Sequence, residues 1–331
     1  MRLAPLALAL IGALLPGLAA AHCGATSLLD RLPDERRAAL EAEAAATPYG
    51  AGLVWEAVRG EDRAVILGTL HVPDPRHEAL LARVADEIAS AERVLVEISR
   101  EDEALMIEEI AADPSIMYLS DGPALPDLLP ADLWEDVQVV LRARQIPVFM
   151  GAKFRPWALM TALAIPTCAM EGVMSGGLGL DHRVMAAAAE AGVPVASIES
   201  RRTLVDLFDE AGIEAEIALL RTALVDPVIQ EEMYVATVEE YFAGNTALVL
   251  RVGEAALDFV PDLGGPEAEA ANALFEELML DRRNIAWSAR LDAETDGADA
   301  LFVAVGAAHL PGEAGLLALM EADGWTVRPL D

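Results

Sequence analysis

Ala64-Val65-Ile66-Leu67-Gly68-Thr69-Leu70-His71 reads as a buried strand that ends in a sharp turn. Four apolar residues in a row suit a strand covered on both faces. The glycine lets the backbone turn, and the histidine three residues on is free to point into a crevice at the strand's end. The same arrangement returns near the other end of the chain, where Ala300 to Val305 runs into Gly306-Ala307-Ala308-His309. One Gly-x-x-His is weak, because it arises by chance. Two of them, each after an apolar strand, are far more specific, and they use two of only five histidines in the chain.

Outward from these turns the two units match. After His71 a helix is expected over Pro75 to Ala91, with apolar residues at 80, 81, 84 and 88, then a strand over Val94 to Ile98 that carries Glu97. After His309 a helix is expected over Glu313 to Asp323, stopped by Gly324, then a strand over Trp325 to Pro329. Leu53 to Val58 and Ala64 to Leu67 form a hairpin around Gly60-Glu61-Asp62. Between the units the pattern is mostly helical: Asp34 to Ala46, Ala104 to Ala112, Pro130 to Arg144, Trp157 to Leu163, the stretch after Asp181 up to Ala191, Leu204 to Leu224, Ile229 to Ala243 and Glu267 to Leu291. Val193 to Ile198 is a further strand, followed by Glu199. The expectation is an α/β (α+β) chain with a central mixed β-sheet flanked by helices. It has two related halves, each with a strand–GxxH–helix–strand unit, in a single domain over residues 22–331.

Residues 1–21 have the form of a cleavable signal peptide: Arg2, an apolar run over Leu3 to Leu18, and Ala19-Ala20-Ala21 as the cleavage site. The mature protein is thus expected in the periplasm or secreted. No later apolar run approaches the ~20 residues needed to span a bilayer. Cys23 and Cys168, the only cysteines, suit an oxidising compartment and are expected to pair. The net charge is −32, from 55 acidic and 23 basic residues, with Lys153 the single lysine. Such a surface repels phosphate backbones, which argues against nucleic-acid binding, and draws cations. No Walker, dinucleotide or nucleophile-elbow motif is present.

Glu97 and Glu199 each close an apolar strand, where a carboxylate is costly to bury without a cation or donor beside it. Two histidines with one or two carboxylates compose a divalent-metal shell that leaves a position for water, so manganese, cobalt, zinc or iron is a candidate cofactor. A histidine acting as general base, with glutamate orienting it, uses the same residues without metal. Arg155 is a candidate for a substrate carboxylate or oxyanion, against a structural ion pair. Asp181 precedes a helix and is expected to cap it, with site chemistry second. Arg283 and Asn284 lie on a helix as candidate substrate contacts or as a buried hydrogen-bond network. His77 is expected to be exposed on its helix, His182 to stand behind the site, and His22 to be the mature N-terminus.

These residues resemble the TraB/GumN family, which includes the Tiki proteins and is distantly related to the erythromycin-esterase and ChaN-like hydrolases. The matching segments are Ile66-Leu67-Gly68-Thr69-Leu70-His71, Val94-Leu95-Val96-Glu97, Gly179-Leu180-Asp181, Gly192-Val193-Pro194-Val195 with Ile198-Glu199, Arg283-Asn284, and Val303 to Leu310. The closing Gly312, Gly315-Leu316-Leu317 and Gly324-Trp325-Thr326-Val327 fit too, so the likeness spans roughly residues 50–330. Tiki-like members are similar to metal-dependent peptidases, and the resemblance implies His71, His309 and Glu97 as the metal-holding residues. Other members are linked to pheromone shutdown or polysaccharide production. The expected function is a periplasmic metal-dependent hydrolase of peptides. Glu97 and Glu199 are its acid–base residues, and Arg155, Asp181, Arg283 and Asn284 contact a peptide or small-molecule substrate. The alternatives are a peptide- or signal-binding protein of the envelope and a metal-free, esterase-like hydrolase.

Overall fold

The computed structural model describes residues 23–260, 264–295 and 300–330. The signal segment and His22 lie outside them. Six strands form one mixed sheet: β1 (Val54–Arg59), β2 (Asp62–Thr69), β3 (Arg93–Val96), β4 (Val195–Ser197), β5 (Ala300–Gly306) and β6 (Thr326–Pro329), in the order β4-β3-β5-β2-β1-β6. β1 is antiparallel to both its neighbours, and the other pairings are parallel, so β1 alone runs against the rest. The sheet is flanked by helices, as an α/β reading requires.

β2 and β5 lie side by side at the centre, with Gly68 opposite Val305 and Thr69 opposite Gly306. Both are nearly all apolar because both faces of the sheet are covered. Val65, Leu67, Phe302 and Ala304 pack with Val84 and Ile88 of the helix His77–Ser90 and with Leu180 and Val184 of the helix Leu180–Ala191. Ala64, Ile66, Leu301 and Val303 face the other way, onto Leu316, Leu317 and Met320 of the helix Leu316–Ala322 and onto Trp287. The two crossovers leave adjacent strands in opposite directions along the sheet. The connection β2 to β3 passes β5, and the connection β5 to β6 passes β2 and β1. Right-handed crossovers that diverge in this way must use opposite faces, and they do. The gap between β2 and β5 is therefore a topological switch point, where a crevice opens beyond the carboxyl ends of the strands.

Several elements differ from the sequence reading for local reasons. The expected helix over 204–224 is two, Thr203–Ala211 and Ile213–Ala223, because Gly212 takes φ +82° between them. The stretch 267–291 passes through a π-helical turn, Glu277–Asp281, where the Arg282 N–H bonds the Glu277 carbonyl five residues back. Such turns redirect the side chains that follow, and Arg283 comes next. β3 stops at Val96 and β4 at Ser197, so Glu97 and Glu199 stand just beyond their strands at the sheet edge. The last helix begins at Leu316, three residues later than expected, after Gly312 at φ +98°.

Cys23 and Cys168 form a disulfide that joins the start of the described chain to the helix Thr167–Met174. It closes a loop of 145 residues. Replacing both cysteines with serine is expected to lower unfolding free energy by about 2–4 kcal/mol, read as a drop in the urea midpoint. An unchanged midpoint would show that the bridge constrains nothing. No single helix among the described residues is long and apolar enough to cross a membrane; Pro156–Leu163 and Thr167–Met174 meet that test only together and are bent by 87°.

Candidate active site

Both Gly-x-x-His turns come together at the switch point because their strands are neighbours. Gly68 permits this: a Cβ there would stand 2.8 Å from Leu310 Cδ1 and 3.1 Å from Ala307 Cα, so the two turns pack backbone to backbone. Tyr241, from the helix Pro227–Ala243, donates to the Gly68 carbonyl at 2.9 Å and fixes the first turn. Gly306 faces the space between the catalytic candidates. A Cβ on it would lie 3.1 Å from Glu97 Oε1, 3.3 Å from His71 Nε2 and 3.5 Å from His309 Cδ2.

The two histidines have opposite surroundings. His309 is 4% exposed and stacks against Trp287 at 4.3 Å. Asn284 donates to the Ala314 carbonyl at 2.9 Å, which turns its Oδ1 toward His309 Nδ1 at 2.7 Å. His309 therefore carries its proton on Nδ1 and offers a lone pair at Nε2, which accepts from Arg283 Nη1 at 3.2 Å. Burial, with Arg283 and His71 nearby, outweighs Glu97 and holds its pKa at about 3, so it is neutral. His71 is the open one, its side chain 55% exposed. Its Nδ1 faces Asp181 Oδ1 at 3.4 Å and its Nε2 faces Glu97 Oε1 at 3.7 Å. Desolvation alone would lower its pKa; Asp181 and Glu97 overcome that and raise it to about 9.

Glu97 accepts from the Gly306 N–H at 2.6 Å and from Arg283 Nη2 at 2.7 Å. Burial works against its charge, but His71, Arg283, His309 and that N–H bring its pKa down to about 2. Arg283 is the hub of the cluster. Its Nε and Nη2 grip Glu199 at 3.0 and 2.7 Å, Nη2 also reaches Glu97, and Nη1 donates to the Met279 carbonyl at 3.0 Å and to His309. All five guanidinium N–H donors are thus used within the protein. Glu199 also accepts from Trp287 Nε1 at 3.0 Å; burial pushes its pKa up against the pull of Arg283.

The structure thus brings His71, Glu97, Asp181, Glu199, Arg283, Asn284 and His309 into one cluster. It gives some of them tasks other than those expected. Arg283 has no donor left for substrate, Asn284 spends one amide N–H on the Ala314 carbonyl and its oxygen on His309, and together they hold Glu97, Glu199 and His309 in place. Glu199 lies behind Arg283, with both oxygens engaged. Asp181 is not a helix cap; the cap position of Leu180–Ala191 is Gly179, and Asp181 instead sits between His71 and His182 Nδ1, the latter at 2.9 Å. The charges of these two histidines outweigh burial and keep its carboxyl well below the usual range. His182 stands behind the site, bridging Asp181 and Glu103. Arg155 is not part of the cluster; it pairs with Asp209 and Glu216 among the helices packed around Trp157. His77 is fully buried rather than exposed, donating from Nε2 to the Val72 carbonyl at 2.8 Å beside Phe242. Trp287 and Tyr241 were not singled out from the sequence. Trp287 was reachable, being one helical turn after Arg283; Tyr241 is far away in sequence and carried no signal.

A divalent ion can be tested against this donor set. His71 Nε2, Glu97 Oε1 and the neutral His309 have suitable chemistry, and Asp181 and Asn284 are where outer-shell partners would be. Their placement does not suit it. Arg283 donates to His309 Nε2 and to Glu97, setting a fixed cation against two of the three donors. Among the described residues no three His, Cys, Asp or Glu side chains group so as to hold an ion. As arranged, these residues do not fit a resident metal.

The family model described as the TraB/PrgY/gumN family matches residues 53–329. No curated protein and no solved structure matches the chain.

Proposed function

The chain belongs to the TraB/PrgY/gumN family, and on that footing we propose that it is a hydrolase of peptide or ester bonds in which His71 handles the proton. The observation that carries this reading is the Asp181–His71 pair opening onto Glu97 at the switch point. With Asp181 Oδ1 3.4 Å from Nδ1 and Glu97 Oε1 3.7 Å from Nε2, we assign neutral His71 the tautomer with its proton on Nδ1 and its lone pair on Nε2, toward Glu97 and solvent. A water there passes a proton to Nε2 as its oxygen adds to the substrate carbonyl. His71 then returns the proton to the leaving group. The Asp181 and Glu97 carboxylates stabilise the imidazolium formed in between, and neutral His309 and Arg283 keep Glu97 in place.

Export to the periplasm or beyond belongs to the same proposal, supported by the disulfide, which suits an oxidising compartment. Cell fractionation with a C-terminal tag tests it; a purely cytoplasmic chain with reduced cysteines would refute it.

The function is tested by incubating the purified protein with a peptide mixture and with 4-nitrophenyl acetate, with and without chelator, beside its metal content. Turnover that survives chelation and is lost in His71→Ala supports acid–base hydrolysis. Stoichiometric manganese, cobalt, zinc or iron, with activity lost to chelator, would replace it with a metal reaction. Gly306→Ala gives a second check. Its methyl group enters the space between Glu97 and His71, and at least a hundredfold loss of turnover with little change in the urea midpoint is expected.

A further inference from the structure

Along the carboxyl edge of the sheet the site has a neighbour. The strand order β4-β3-β5-β2 sets out, in one row, the segment Ile198–Ser200 after β4, Glu97 after β3, the His309 turn after β5 and His71 after β2. At the β4 end of this row lies a cavity of ≈ 310 Å³. Its walls include Ile198, Leu207, Ala286 and Trp287, and Glu199 and Arg283 line it as well. Trp287 also stacks on His309, and Arg283 also bonds Glu97, so the cavity and the reacting groups share two residues.

Of the three charged residues that line it, Arg282 pairs with Glu210 at 2.7 Å, and Glu199 and Arg283 are bonded to each other. Glu199 has both oxygens bonded, to Arg283 and to Trp287, and each of the five donors of Arg283 already has a partner. A carboxylate entering here would find Arg283 fully engaged and Arg282 already paired with Glu210, and an ammonium would have to share Glu199 with Arg283 and Trp287. Either would lose more hydration than these shared contacts return. An apolar group gains contact with Ile198, Leu207 and the Trp287 ring at no such cost.

We infer that this cavity is the specificity subsite of the chain and takes one uncharged aliphatic or aromatic side chain of an acyl substrate. The substrate lies along the sheet edge, with that side chain at the β4 end and the cleaved bond toward Glu97 and His71. The placement of the bond rests on the hydrolase reading; occupancy of the cavity does not.

The test separates the two. Binding of N-acetyl amides of glycine, leucine, phenylalanine, glutamate and lysine to the purified protein is measured by calorimetry, which needs no turnover. The leucine or phenylalanine amide is expected to bind at least tenfold more tightly than the glycine amide, with glutamate and lysine no better than glycine. Ala286→Phe places a ring in the cavity from an exposed helix position, and should remove that preference while leaving the urea midpoint unchanged. Equal binding of all five amides, or a preference that Ala286→Phe leaves intact, overturns the inference. Apolar preference without cleavage of the matching 4-nitroanilides keeps the subsite and removes the hydrolase reading alone.

Discussion

Replacing Arg283 with methionine is expected to cost about 3–5 kcal/mol of stability at pH 7.5, the largest loss from any single side chain in the site. Arg283 is 5% exposed and is the shared partner of Glu97 and Glu199. Without it, two carboxylates are left in a poorly hydrated space with only the Gly306 and Trp287 N–H groups and the neighbouring histidines. The penalty has a pH signature. Burial already raises the pKa of Glu199, and removing its cation raises it further. A group whose folded pKa is raised stabilises the fold as it takes up its proton, so the variant recovers as pH falls toward 5. His309 and Glu97 work the other way. His309 stays neutral until about pH 3 when folded but takes a proton near 6.5 when unfolded, so its contribution is complete above 6.5 and is lost below it. The Glu97 contribution, present above the unfolded carboxylate range, goes as pH falls toward about 2. Urea titrations of both proteins at pH 7.5 and 5 should therefore converge on the acid side. A loss under 1 kcal/mol at pH 7.5 would mean that the three charges are not held as described.

His71→Ala is expected to reduce hydrolysis by 10²- to 10⁴-fold, the usual contribution of a positioned acid–base group. Stability should change by less than 1 kcal/mol, since His71 is more than half exposed and Asp181 keeps His182. The pH profile identifies the role. If neutral His71 is the base, kcat/KM of the native protein rises with pH and levels off as pH passes about 9. The residual rate of the variant should lack that limb, and added imidazole should restore part of it. A profile already flat from pH 6 to 10 would remove His71 from the proton transfer. Stability linkage runs oppositely for this residue. Its folded pKa is raised, so its contribution is full below about 6.5 and is lost as pH climbs through 9. The best pH for turnover is thus one at which this ion pair stabilises least.

How much of the site was legible in the sequence depends on how far apart its parts lie. His71 and His309 were readable because each has a local signature, an apolar strand followed by glycine and histidine three residues later. Glu97 and Glu199 stood out because a carboxylate after an apolar strand is conspicuous in one dimension. Arg283 and Asn284 stand out as a pair in the sequence, yet their direction of action does not. Whether a buried guanidinium holds neighbours or grips substrate depends on how many of its five donors the fold has already taken. His77 shows the same limit in reverse. Its helix looked amphipathic with the histidine on the open side, but Tyr241 and Phe242 from a helix over 150 residues later cover it.

By itself the sequence determined the elements with local causes: apolar strands, helices ended by Gly192 and Gly324, two equivalent turns, and a cysteine pair. Hydrophobic periodicity and glycine conformations act over a few residues, and those are printed in the chain. The tertiary structure alone decided that β2 and β5 are neighbours with diverging crossovers, which puts the two histidines across one crevice. It also decided that one of them is neutral and buried, the other charged and open. Burial and charge pairing are set by what other segments bring to a residue, so two identical motifs acquired opposite chemistry.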